Sequence, residues 1–228
     1  MKPAALLLIA IMTATAADPP LIRCQRAEHD FALSADPASP AWNRVRTVSA
    51  AVDPQGADSR GRFEVKMQWT PANLYLLFIC PYDELNLKPD PKTTEETYQL
   101  WNWDVTELFM GADLDNIHRY REYQVSPQGE WVDLDIDRKA MNADKAWMWN
   151  SGFQVQAKID SGKKIWYGAM KIPMSSLDDK PAAAGKQYRL NLFRLSGKGA
   201  NRQSTMWTPT MNRSHHTPER FGLLVLEP

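Results

Sequence analysis

Short runs of alternating apolar and polar residues recur along most of the chain, separated by turn-forming clusters. Residues 44–51 and 62–69 alternate as strands do. Residues 73–80 are almost wholly apolar, as expected of a strand covered on both faces. Pro71, Ala72 and Asn73 form the turn joining the last two runs. A strand starting at Thr106 is stopped by Gly111. Further alternating runs occupy 121–125, 131–137, 153–159, 165–172 and 188–195, and a closing strand follows Gly222. Helical periodicity is nearly absent, apart from one turn expected at 174–177. The pattern predicts an all-β fold: a two-layer antiparallel β-sandwich, jelly-roll-like, with long loops.

Within 131–137, Val132, Leu134 and Ile136 alternate with Trp131, Asp133, Asp135 and Asp137, so one strand face is apolar and the other carries carboxylates. Carboxylates lined up on one face repel one another unless a cation, sugar hydroxyls or water lies among them. Asp133 and Asp135 are therefore candidate calcium ligands, beside the alternative of a solvated face next to Arg138 and Lys139. Residues 84–99 carry two prolines and no apolar period, so they form a long loop, and that loop runs straight into Trp101, Trp103, Asp104 and Glu107. An indole near carboxylates suits a sugar, because the ring covers the apolar face of a pyranose while the acids bind its hydroxyls. The competing reading places such tryptophans in the core.

Residues 1–17 combine Lys2, an apolar run over 4–12 and small residues ending in Ala14, Thr15 and Ala16, the make-up of a secretory signal peptide cleaved after Ala16 or Ala17. The apolar run is too short to span a membrane. The expectation is a secreted or periplasmic protein in which 18–228 form a single domain. Cys24 and Cys80 then read as a disulfide pair. Acidic and basic residues balance at 27 each, without a basic run, which argues against a nucleic-acid partner.

Several spacings resemble one known family. Trp101-x-x-Asp104-x-x-Glu107-Leu108-Phe109 looks like a segment of the family 9 carbohydrate-binding modules, non-catalytic β-sandwiches attached to xylanases. In the same order along residues 31–227 come a similar entry Trp42, a hairpin Trp69-x4-Leu74-Tyr75, an Ile172-Pro173 segment, the run from Arg189 to Arg194, and Pro218-x-x-Phe221-Gly222. The resemblance implies binding of polysaccharide or oligosaccharide of cellulose or xylan type, in support of glycoside hydrolysis. It implies stacking on Trp101 and hydrogen bonds to Glu107, with Gln124, Asn191 and Arg194 as further polar contacts. Family members attached to xylanases carry a second Trp just before the Pro of the last motif; here His215 stands there, which leaves His215 or Trp207 as the opposing wall. Asp104 is expected to order the loop or to help bind calcium, and Trp42 to lie in the core.

Three other chemistries compete. A glycoside hydrolase needs two carboxylates flanking the scissile bond. The nearest pair, Asp104 and Glu107, tends to point to opposite faces. A haem-binding electron-transfer sandwich would draw on Met206, Met211, His215 and His216, but no motif fixes two axial ligands. A zinc enzyme would need His118, His215 and His216, two of them adjacent and so divergent.

Overall fold

The computed structural model describes residues 18–140 and 147–228, so the expected leader lies outside the described residues. The strands are β1 (Leu21–Arg26), β2 (Thr47–Val52), β3 (Asp58–Trp69), β4 (Asn73–Pro81), β5 (Val105–Gly111) and β6 (Arg119–Val125), then β7 (Trp131–Asp137), β8 (Gln154–Asp160), β9 (Ile165–Pro173), β10 (Gln187–Ser196), β11 (Gln203–Met206) and β12 (Gly222–Leu226). One helical turn, α1 (Met174–Leu177), follows β9 where it was expected.

All twelve strands belong to one sheet, in the order β7-β6-β5-β10-β11-β2-β3-β4-β9-β8. Its two arms, β7-β6-β5-β10 and β2-β3-β4-β9-β8, fold face to face as the expected sandwich. β12 and β1 form a second bridge between β10 and β3. That bridge departs from the antiparallel expectation, since β1 runs parallel to both β12 and β3.

Alternation decides which side chains fill the interior. Phe63, Val65, Met67 and Trp69 of β3, Leu74, Leu76 and Phe78 of β4, and Met170 and Ile172 of β9 pack against Leu108 and Met110 of β5, Tyr123 and Val125 of β6, and Leu190 and Leu192 of β10. The layers press closely at Gly168 of β9, where a Cβ would stand 2.9 Å from Val125 of the opposite layer. A side chain there would push the sheets apart.

Each arm also carries a smaller apolar cluster on its outer face. Outside β4 and β9, Tyr75, Leu77, Tyr167 and Ala169 are covered by Ala35, Trp42 and Val45 of the entry segment. Trp42 is fully buried there, as expected of a core residue. Outside β5, β6, β7 and β10, the cluster contains Val105, Phe109, Tyr120, Leu134 and Phe193, covered by Leu100, Trp147, Met206 and Phe221.

The expected disulfide is not formed: Cys24 and Cys80 are separate buried thiols. The strand register explains this. Gln25 is level with Gln68 and Met67 pairs with Leu76, so Cys24 lies level with Leu76, four residues short of Cys80. At ~3.3 Å per residue that is roughly 13 Å along the strands. A disulfide needs Cα atoms within ~7 Å. Burial pushes both thiols up, Cys80 to about 12. A thiol kept protonated in this way is chemically inert.

Candidate functional site

The turn that presents Trp101 is built by its neighbours. Gln99 takes a left-handed conformation (φ 62°) and leads into a single 3-10 turn, Leu100–Asn102, in which Leu100 is buried as the anchor. Trp101 remains half-buried, edge-on to Tyr98 with ring centroids 5.4 Å apart. Arg202, about a hundred residues later, pins this turn by donating to the carbonyls of Trp101 (2.5 Å), Trp103 (2.9 Å) and Gly197 (2.9 Å). Behind it Asp104 is wholly buried, accepting the Gly197 N–H at 2.7 Å with Arg202 at 3.7 Å. Burial raises its pKa, against the lowering effect of the Gly197 N–H. Of the two roles expected of Asp104, the contacts fit the ordering of the loop.

Below the turn lies the outer face of β5 and β6. Leu108 and Met110 point into the sandwich, so Glu107 and Phe109 point outward. Glu107 pairs with Gln124 across the strands and accepts its amide at 3.0 Å. The same Gln124 amide nitrogen donates to Glu122, so one side-chain amide ties two buried carboxylates together. From above, the loop between β11 and β12 brings down two histidines. His215 Nδ1 is 2.9 Å from Glu107, its Nε2 is 2.6 Å from the Ser204 hydroxyl, and its ring stacks on Phe193 at 4.3 Å. His216 Nδ1 is 2.8 Å from the Tyr120 hydroxyl, and its Nε2 lies 3.9 Å from Glu122.

Between the Trp101 turn and this loop opens a cleft of about 340 Å³, lined by Trp101, Glu107, Glu122, Trp147, Leu195, Arg213, His215 and His216. That is the small end of the usual range for ligand pockets. Of the residues singled out in the sequence, Trp101, Glu107 and His215 meet here, and Gln124 lies just beneath.

The remaining candidates lie elsewhere. Asn191 is fully buried and clamps the β11–β12 loop, donating to the Thr208 carbonyl (2.9 Å) and accepting the Thr208 N–H (3.0 Å). Arg194 pairs with Thr106 on the inward side of β10 and donates to the carbonyls of Gly61 and Arg62, away from the cleft. Trp207 packs against the sandwich interior over Gly222, where its ring would stand 2.5 Å from an added Cβ, so it is not the wall opposite Trp101. Sequence reasoning missed Glu122, Arg202 and Arg213, and it considered His216 only as a haem or zinc ligand. For Glu122 the signal was present, since it lies two residues from Gln124 on one strand and must share its face.

The acidic strand resolves into protein contacts. Val132, Leu134 and Ile136 form part of the cluster under the cleft, which turns the acids away from it. Asp135 pairs with Arg119 at 2.9 Å and with Arg121. Asp133 accepts the Ser151 N–H at 2.6 Å. Burial, together with the charge and hydrogen bond of Asp133, pushes Glu96 up to about 8. Among the described residues no three His, Cys, Asp or Glu side chains are grouped to hold a metal. Of the residues named for a haem or zinc site, Met206 is packed in the core and both His215 nitrogens are engaged by protein groups. Asp104 and Glu107 are kept apart, one behind Arg202 and the other on the cleft floor. Among the described residues no helix is long and apolar enough to cross a membrane.

Comparisons with known proteins agree on the fold. The structure is similar to a candidate carbohydrate-binding protein from Bacteroides uniformis (TM-score 0.69, 13% identity, 92% of this chain and 100% of that one covered). It is also similar to a carbohydrate-binding module of family 9 from Caldicellulosiruptor kristjanssonii, in complex with cellotriose (TM-score 0.67, 14% identity, 91% of this chain and 94% of that one). The glucose complex of a family 9 module from the same organism gives a TM-score of 0.64 at 13% identity, over 90% of this chain and 95% of that one. No curated protein matches. The family model described as carbohydrate family 9 binding domain-like matches residues 37–228, and the chain belongs to that family.

Proposed function

We propose that the protein is a non-catalytic carbohydrate-binding protein that takes an oligosaccharide, or part of a polysaccharide chain, in the Trp101 cleft. The observation that carries this reading is the half-buried Trp101 indole, on a turn held by Arg202, at the mouth of a cleft lined by two carboxylates. A flat apolar ring above hydrogen-bonding groups matches the two-sided chemistry of a pyranose. Family membership and the sugars held by the similar modules, cellotriose and glucose, support a β-glucan or xylan-type ligand. The leader-like residues 1–17 support export, and with it a role beside glycoside hydrolases in carbohydrate breakdown outside the cytoplasm.

Titration calorimetry of the purified protein against cello- and xylo-oligosaccharides tests this. Saturable binding to one series that is lost in Trp101→Ala is expected. Heat that is absent for both series, or unchanged in Trp101→Ala, would overturn the reading.

A further inference from the structure

At one end of the sandwich the two arms part and leave a second cleft, of about 460 Å³, between the start of β3, the end of β4, the turn before β9 and the end of β10. The end of β10 divides it from the Trp101 cleft. Leu195 points outward and lines the Trp101 cleft, while Arg194 and Ser196, on the inward side, line this one.

Arg194 is only 2% exposed, and an arginine cannot shed its charge in a protein. Its Nη1 donates to the carbonyls of Gly61 (3.3 Å) and Arg62 (3.2 Å), which fixes the guanidinium but supplies no counter-charge. Its Nε has no acceptor, and no carboxylate among the described residues forms an ion pair with it. Asp104, which feels its charge, is taken up by the Gly197 N–H at 2.7 Å and by Arg202. Taking a charge out of water is costly, so buried cations are ordinarily paired. A second polar atom of a residue lining the same cleft, Gln203 Oε1, is likewise buried without a partner among the described residues.

The surroundings add to this cation instead of offsetting it. Arg60, Lys163, Lys164 and Lys198 stand round the mouth, against Asp83 and Glu84. Arg60 is exposed and makes no hydrogen bond or ion pair with a described residue. Lys164 reaches only the Asp83 carbonyl, at 3.4 Å, and Glu84 is already paired with Lys198 at 3.2 Å. A buried cation without a counter-ion, ringed by exposed cations, suits an anion. The other polar groups narrow its chemistry. Asp83, Glu84 and the amides of Asn201 and Gln203 also line the cleft. They would be idle beside a phosphate, and the two acids would repel it. A sugar acid brings one carboxylate for the cations and several hydroxyls for the acids and amides.

We propose that this cleft is a second binding site, for the carboxylate of a uronic acid residue in an acidic oligosaccharide, independent of what the Trp101 cleft holds. Arg194 supplies the charge at the back of the site, and Arg60 and Lys164 supply it at the mouth.

Titration calorimetry of the full-length purified protein against trigalacturonate, cellotriose and inorganic phosphate tests this, with Trp101→Ala and the surface variant Arg60→Gln/Lys164→Gln beside wild type. Trigalacturonate is expected to bind Trp101→Ala as tightly as wild type and the surface variant ~10-fold or more weakly, the scale of a lost hydrogen bond to a charged group. Added salt should weaken that binding. Arg194→Gln should lose it as well, with thermal melts recorded alongside; if this buried change unfolds the protein, the surface variant decides alone. Trigalacturonate that fails to bind, or binds the surface variant as well as wild type, overturns the proposal. So does trigalacturonate binding lost in Trp101→Ala, which would place it in the first cleft, and phosphate bound as tightly as trigalacturonate, which would leave an anion site without a sugar. Trigalacturonate binding without cellotriose binding would sink the neutral-sugar reading of the Trp101 cleft and leave this site standing.

Discussion

The two outer faces of the sandwich are built alike and end differently. Each is covered by irregular chain that lowers a tryptophan onto it. Over β4 and β9, Trp42 is wholly enclosed, its indole N–H donating to the Ser34 carbonyl at 2.8 Å, and Phe31 stacks on Tyr75 at 3.9 Å. Over β5 and β6, Trp101 stays half-buried at the edge of an open cleft. The difference lies in the floor. Leu77 and Ala169 present no polar side-chain group, and the Tyr75 hydroxyl is satisfied by donating to Asp30 at 3.0 Å, so a cover can close on this floor. Glu107, Glu122 and Gln124 on the other face demand partners, since buried polar groups without them are costly. There His215 and His216 join Leu100, Trp147, Met206 and Phe221 in the cover, and it leaves room for a ligand. One architecture yields a seal or a site according to a few outward-pointing strand positions.

The sharpest way to break this comparison is to truncate both tryptophans. Trp42→Ala should lower stability by ~3 to 5 kcal/mol, as large core truncations do, with sugar affinity per folded molecule unchanged. Trp101→Ala should weaken oligosaccharide binding by ~2 kcal/mol, the loss typical of a central aromatic anchor, with little change in melting temperature. Paired thermal melts and calorimetry check both. If Trp101→Ala unfolds the protein and Trp42→Ala does not, the two faces have been assigned the wrong way round.

A smaller effect is expected from Glu96, in the long loop that leads to Trp101. Its pKa is raised from 4.5 to about 8, by burial first and by Asp133 second. Below pH 4.5 it is protonated in both folded and unfolded chains. Between about 4.5 and 8 the unfolded chain releases the proton that the folded protein keeps, so stability should fall as pH rises through this window and level off above it. Glu96→Gln removes the titrating group, and melts across that range should show a flatter dependence than wild type. The smallest expectation is no effect at all. Because Cys24 and Cys80 are free thiols, a reductant should leave the melting temperature unchanged, and intact mass under alkylation of the unfolded chain should show two modified cysteines.

The sandwich was legible because alternation is a local property: a strand with one face in the core must write apolar residues at every second position. Most strands from β2 to β10 announce themselves in this way, and β4, covered on both faces, does so by being almost wholly apolar. Two others do not. β1 is six residues long, and with Ile22 and Cys24 its only deeply buried side chains it offers too short a pattern. β11, Gln-Ser-Thr-Met, has no apolar period at all and exists because β10 on one side and β2 on the other supply its partners.

The cleft divides in the same manner. Trp101 and Glu107 could be singled out because they lie six residues apart in one recognisable segment, and His215 because it stands where a related chain carries an aromatic. The sequence by itself thus determined most of the strands, the plug at Trp42 and the one stretch that carries the candidate chemistry. Only the tertiary structure decided that Cys24 and Cys80 stay apart, that Arg194 and Trp207 turn from the cleft, and that Arg202 holds the Trp101 turn. It also decided that His215 is held between Ser204 and Glu107. The physical reason is that periodicity records which side of its own strand a residue occupies. Which strands become neighbours, and at what register, is set by contacts between residues a hundred positions apart, and these leave no local pattern to read.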